Sequence, residues 1–201
     1  MAFGFRPSRY IAGGPWNGSL MRCVGVAGYG SAIYPGDLVA LVTGGGDEAG
    51  GADPNTGAIL PTVELAAAGA RILGAVVGIE PVRGDLSSRY RAASTERQLM
   101  VAVAQPGLVF EAQADAAIAL TSIGNNFDHN AGAGTAALAR SGHDIDVATA
   151  ATTTAGVTLV GVRNDPANLA TITSGSGTTS TIWEVVIAEP QVAITQLGAG
   201  V

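Results

Sequence analysis

The sequence predicts an all-β protein: a small β-barrel, or a jelly roll or sandwich, with an extended N-terminal arm and at most two short helices. Three observations lead there. Short apolar runs alternate with Gly, Pro, Asn and Asp; few windows hold a 3.6-residue period over helical length; and 29 of the 201 residues are Gly. Aliphatic and aromatic residues make up 47% of the chain, enough to bury a core and too many for a disordered segment. The length allows one domain plus an arm, divided as 1–19 for the arm and 20–201 for a single β-rich domain.

Residues 1–19 mix Phe3, Phe5, Tyr10 and Trp16 with Arg6, Arg9, two prolines and Gly13–Gly14, without a period. Arg and aromatic side chains are enriched at interface centres, so this segment reads as an arm that grips a partner. The alternative is that its aromatics fold back into the domain's own core. The predicted strands are Leu20–Val26, Asp37–Val42, Arg71–Ile79, Gln98–Ala104, Leu108–Ala112, Val157–Val162 and Thr181–Ala188. Tyr34-Pro35-Gly36-Asp37 is a turn, with Pro fixing φ and Gly supplying a positive φ. Gln105-Pro106-Gly107 is expected to join the runs on either side of it as a tight hairpin.

Two stretches read as helical. Pro61–Gly69 begins with Pro, continues through Ala and ends on Gly, and Asp165-Pro166 is a cap followed by Pro at the first helical position. Segments 44–57 and 124–142 read as loops, and Ala148–Thr154 as an exposed strand.

The net charge is −6 and only 13% of residues are charged. The average field repels nucleic acid, and no apolar stretch has the length of a membrane span or the form of a secretion signal. So charge-poor a surface suggests self-association or coverage by a partner. All ten cations are Arg, and eight lie within residues 1–97, which balance to zero; the excess of acids falls on the remainder. Two readings follow: the two halves face different surroundings, with the Arg-rich half suited to a protein contact, or the all-Arg usage reflects codon or GC bias.

Sites of chemistry are hard to find. Asp47, Glu48, Asp53 and Asn55 lack calcium-loop spacing. His129 and His143, near Asp128, Asp144 and Asp146, sit in Gly/Ala-rich sequence and read as exposed loop residues, not as metal ligands. No glycine cluster opens a long helix to cradle a phosphate, and no nucleophile elbow is present. Cys23, the single cysteine, reads as a small core residue. No cofactor is expected.

The opening F-G-F-R-P-S-R-Y-I-A-G-G-P-W-N-G, the internal I-L-G-A-V-V-G-I-E-P, L-S-S-R-Y-R-A-A-S-T-E-R and the late R-N-D-P-A-N together resemble the head decoration (cement) proteins of tailed bacteriophages. The resemblance implies a non-enzymatic, β-rich protein on the outer surface of the virion capsid, clamping major capsid protein subunits and associating with itself as a dimer or trimer. On that reading Phe3, Phe5, Arg6, Arg9, Tyr10 and Trp16 of the arm, with Arg89 and Arg91 of the R-Y-R stretch, form the capsid-binding set. Two rivals come from other classes. One is a particle-displayed carbohydrate-binding β-sandwich using Tyr29, Tyr34 and Trp183 as stacking platforms; the other is a small trimeric hydrolase, for which the nucleotide-binding motifs are missing.

Overall fold

The computed structural model describes residues 2–46, 60–81, 86–151 and 156–192. In chain order the strands are β1 (Arg6–Tyr10), β2 (Met21–Gly25), β3 (Leu38–Gly46), β4 (Pro61–Leu65), β5 (Gly74–Ile79) and β6 (Arg97–Val103). They continue as β7 (Leu108–Ala112), β8 (Asn126–Asn130), β9 (Asp144–Ala151), β10 (Val157–Val162) and β11 (Trp183–Ile187), with one short helix, α1 (Pro166–Leu169), before β11. The all-β expectation is met. Strands β2-β4-β3-β5-β6 close a five-stranded barrel, and β1-β7-β11-β10-β8-β9 form a six-stranded sheet.

The period of two along each strand explains how these layers share their cores. In β3 the neighbours Leu38 and Val39 are both fully buried, yet they belong to different clusters: Val39 fills the barrel, and Leu38 joins the layer between barrel and sheet. Ala75 and Val76 of β5 divide in the same way, as do Val101 and Ala102 of β6. Strands covered on both faces read as continuous apolar runs, which is why I-L-G-A-V-V carries no alternation. The layer between barrel and sheet takes the largest side chains: Phe5, Phe110, Phe127 and Trp183. Each contributes about 2–3 kcal/mol by leaving water, an upper figure because an unfolded chain already hides some of this surface.

Several expectations need correction. The segment 1–19 is not a free arm. Strand β1 pairs antiparallel with β7, Arg6 opposite Glu111 and Tyr10 opposite Leu108, and Phe5 is fully buried in the shared core. With β11 on one edge of β7, β1 satisfies the other.

Strands β6 and β7 do not form a hairpin. The Gln105–Leu108 turn is present, Leu108 N–H donating to Gln105 O at 3.0 Å, but it carries the chain from barrel to sheet. Both edges of β6 are already taken, by β2 and β5.

The stretch Pro61–Gly69 is not a helix. Its Thr62 and Val63 are β-branched and buried in barrel strand β4, so packing overrides the propensity of the alanines that follow. The glycine signal was sound, however, for Gly69 takes φ +72° in a turn closed by Ala70 N–H donating to Ala67 O.

Part of the expected loop 124–142 is strand β8, and residues 44–46 and 148–151 are strand; positions 47–57 and 152–154 of the expected loop and strand lie outside the described residues. The short helix after Asp165 is as expected, its Oδ1 accepting from Asn168 N–H at 3.0 Å.

Candidate functional site

Where the N-terminal segment meets the Pro35-Gly36 turn, two backbones cross almost in contact. Phe5 N–H donates to Gly36 O at 2.8 Å and Gly36 N–H to Val76 O at 2.7 Å. Gly4 (φ +79°) and Gly36 (φ +99°) face each other here. A Cβ on Gly4 would lie 2.4 Å from Gly36 O, and one on Gly36 would lie 2.6 Å from Phe3 O. The crossing fixes Phe3, Phe5 and Arg6 along one wall of a cleft of about 640 Å³. Trp16, Val76 and Val77 also line it, as do Leu138, Ala139 and Arg140.

Residues 138–140 of that lining come from a backbone that doubles back on itself. Thr135 and Arg140 exchange N–H···O bonds of 2.8 and 3.2 Å around the 3₁₀ turn Ala136–Leu138. Gly132 and Gly142 permit the close return, since a Cβ on Gly132 would stand 2.3 Å from Gly142 O. Ala139 takes φ +47°, a left-handed conformation uncommon for a residue with a side chain, and the preceding Leu138 is 59% exposed. Such local strain is sustained by the surrounding bonds and recurs at functional positions.

The cleft's charge is unbalanced. Arg6 is exposed, with its guanidinium carbon 4.4 Å from the Phe3 ring centroid, and among the described residues it has no carboxylate partner. Arg140 is half-buried, its Nε is sealed from water without a hydrogen bond, and it too has no carboxylate partner among the described residues. On the other side of the same turn a recess of about 380 Å³ contains the exposed Arg89, beside Tyr90 and Ala136.

The expected capsid-binding residues therefore separate. Phe3, Phe5, Arg6 and Trp16 share the cleft, Phe5 as part of its buried base. Arg9 lies elsewhere, its Nη2 2.6 Å from Glu184 Oε2, and this hydrogen-bonded pairing raises its pKa. Tyr10 donates its hydroxyl to Gln105 Oε1 at 3.0 Å. Arg91 cannot reach a partner at all. It is fully buried, and its guanidinium donates to the carbonyls of Val26, Tyr29, Ser31 and Thr95, so it pins the 26–31 loop to the 91–95 turn. Burial lowers its pKa. Sequence reasoning missed Leu138 and Arg140. The available signal was Arg140 itself, one of two cations after residue 97, standing alone in an Ala/Gly run.

The histidines are not exposed loop residues. His129 lies on β8 and His143 just before β9; both are buried, with ring centroids 5.6 Å apart. His143 Nδ1 accepts from Leu38 N–H at 3.2 Å, so its proton sits on Nε2, 3.7 Å from Asp37 Oδ1. Burial, helped by His129, depresses His143 to about 3, and burial lowers His129 as well. Burial pushes Asp37 up to about 6, against hydrogen bonds from Ser141 and Tyr34 N–H that favour its ionised form.

Ser, His and Asp thus meet, but not in a hydrolytic order. His143 Nδ1 is occupied by a backbone amide, and Ser141 Oγ accepts from His143 N–H, so this arrangement leaves no imidazole nitrogen to take the serine's proton. Burial pushes the Cys23 thiol up to about 12, as suits a core residue. No group of three or more His, Cys, Asp or Glu among the described residues could hold a metal ion.

The stacking platforms of the carbohydrate reading are also lost. Trp183 is fully buried, Tyr34 is buried against Tyr90 at 4.9 Å, and the Tyr29 hydroxyl accepts from Leu65 N–H at 3.2 Å while Arg91 lies over its ring. No protein-family model matches the chain, and no curated protein or solved structure matches it.

Proposed function

We propose that this chain is an adhesive structural protein that decorates the outside of an icosahedral phage head and ties neighbouring major capsid protein subunits together. The observation that carries the reading is the cleft between β1 and the 136–140 turn, where aromatic side chains accompany two arginines without carboxylate partners among the described residues. Arg and aromatic anchors in a partly desolvated recess are the chemistry of interface centres. The resemblance of the N-terminal and R-Y-R stretches to head decoration proteins supplies the kind of partner, and the charge-poor exterior agrees with a surface meant to be covered. Many copies on one shell act together, so modest individual contacts sum to a large gain in capsid stability. A cyclic dimer or trimer matching local shell symmetry is part of the same reading.

The test is co-sedimentation of the purified chain with expanded, undecorated capsids of tailed phages. Saturable binding that raises the capsid's melting temperature is expected. A chain left at the top of the gradient, with capsid melting unchanged, overturns the reading.

A further inference from the structure

The cleft's chemistry also specifies what it takes. We infer that it binds an extended acidic segment of the partner protein, seating an aliphatic side chain against Trp16, Val77 and Leu138 while flanking carboxylates pair with Arg6 and Arg140. This inference rests on the adhesive reading above and names the surface that the cleft recognises.

Charge complementarity carries the assignment. In a chain of net charge −6, Arg9, Arg22 and Arg163 are each paired with an acid. Arg6 and Arg140, which have no such acid among the described residues, instead line the same cleft. Neither guanidinium is engaged by a carboxylate among the described residues, and a carboxylate matches the outer edge of a guanidinium with two parallel hydrogen bonds. Nucleic acid would offer anionic groups too, but the overall charge opposes it.

The backbone around β1 decides how the segment is held. Pro7 has no N–H to offer, and residues 10–16 return over the strand, with Tyr10 N–H donating to Gly14 O at 2.7 Å and Trp16 N–H to Ser8 O at 3.3 Å. The outer edge of β1 is thereby covered, and an incoming strand cannot extend the sheet there. Recognition therefore runs through side chains: the two arginines set the charge, and the exposed Leu138 and Val77 set the apolar contact.

Trp16 makes the event visible, because the other tryptophan, Trp183, is fully buried and gives a constant background. The probe is a blocked heptapeptide of alternating Glu and Leu, titrated into the full chain and followed by tryptophan fluorescence, beside the same peptide with Gln for Glu and beside inorganic phosphate. Saturable binding that weakens with salt is expected for the Glu/Leu peptide, with a loss of about tenfold for the Gln/Leu peptide and for the R6Q/R140Q double variant. Equal binding of the Glu and Gln peptides, no binding of either, or competition by phosphate at the same concentration as the peptide overturns the inference.

Arg6 is exposed and Arg140 half-buried, so the double variant keeps the core, which is checked by its near-ultraviolet circular dichroism. Capsid co-sedimentation of the double variant is run in parallel. If it binds capsids like the natural chain, the cleft assignment fails while decoration stands. If the natural chain takes the peptide but ignores capsids, decoration fails while the cleft stands.

Discussion

Nε2 of His143 lies 3.7 Å from Oδ1 of Asp37, with both side chains sealed from water. The two groups give stability opposite dependences on pH. Asp37 ionises near pH 6 in the fold against its ordinary 3.8, so its contribution is full below 3.8 and is lost as pH rises through 6. His143 ionises near pH 3 against its ordinary 6.5, so its contribution is full above 6.5 and is lost as pH falls through 3. Asp144, also raised to about 6, adds to the first effect, and the lowered His129 adds to the second.

Between these limits the slopes oppose each other. Asp37→Asn removes one of them. Relative to the natural chain, the variant should gain about 2–3 kcal/mol in stability between roughly pH 4 and 6. Urea unfolding across that range measures it, and parallel curves for the two proteins would refute the assignment.

The imidazoles themselves provide a second check. Burial holds the His143 ring neutral, so its C2 proton signal should stay fixed from about pH 7.5 to 5.5 in the folded protein, and the midpoint of the buried His129 should fall below the ordinary 6.5. An unshifted midpoint at 6.5 for either ring would show that it is open to water.

Glycine at the backbone crossing is a steric requirement. Gly36→Ala must place a Cβ 2.6 Å from Phe3 O while holding φ at +99°, and a loss of at least about 2 kcal/mol is expected. Gly13 has a similar φ of +97° with nothing within 4 Å of its would-be Cβ, so Gly13→Ala should cost only about 1 kcal/mol. Chemical denaturation of the pair separates crowding from backbone preference.

Two arginines separated by one residue should behave differently. Arg91→Ala strips four carbonyls of their buried donor and should lose about 3–5 kcal/mol in thermal or urea unfolding. Arg89→Ala, at an exposed position, should change stability by no more than about 0.5 kcal/mol. Equal effects would contradict the placement of Arg91.

Removing residues 2–10 should not leave a soluble folded core. It deletes Phe5 from the shared core and bares the edge of β7, and the shortened chain is expected to lose its near-ultraviolet dichroism and to aggregate. A monomeric, cooperatively melting product would restore the picture of a detachable arm.

The strands that were legible in the sequence are those dense in β-branched and aliphatic residues. Leu108–Ala112 and Val157–Val162 were read with the boundaries that the structure gives them. The strands that escaped were disguised by composition. Strand β1 carries Arg, Pro and Ser because it lies at the sheet's edge, and β8, reading N-F-D-H-N, has only Phe127 to announce it. Its His129 spends its polar character inside the protein, with Nε2 2.8 Å from Ala66 O, a pairing across sixty-three positions that no local pattern reveals. The cleft was half legible for the same reason. Phe3, Arg6 and Trp16 stand together in the sequence, whereas Arg140 reaches them only because Gly132 and Gly142 allow the intervening turn to close.

The order in which the strands join their layers has a consequence for synthesis. All five barrel strands lie between Met21 and Val103, so the barrel can close as soon as that stretch leaves the ribosome. Strand β1 is made before all of them, yet its partner β7 begins only at Leu108. This strand must therefore wait for roughly a hundred later residues before it pairs, a long-range closure of the kind that slows folding. Until then Phe5 stands bare on the nascent chain, and its docking completes the sheet around a barrel already in place.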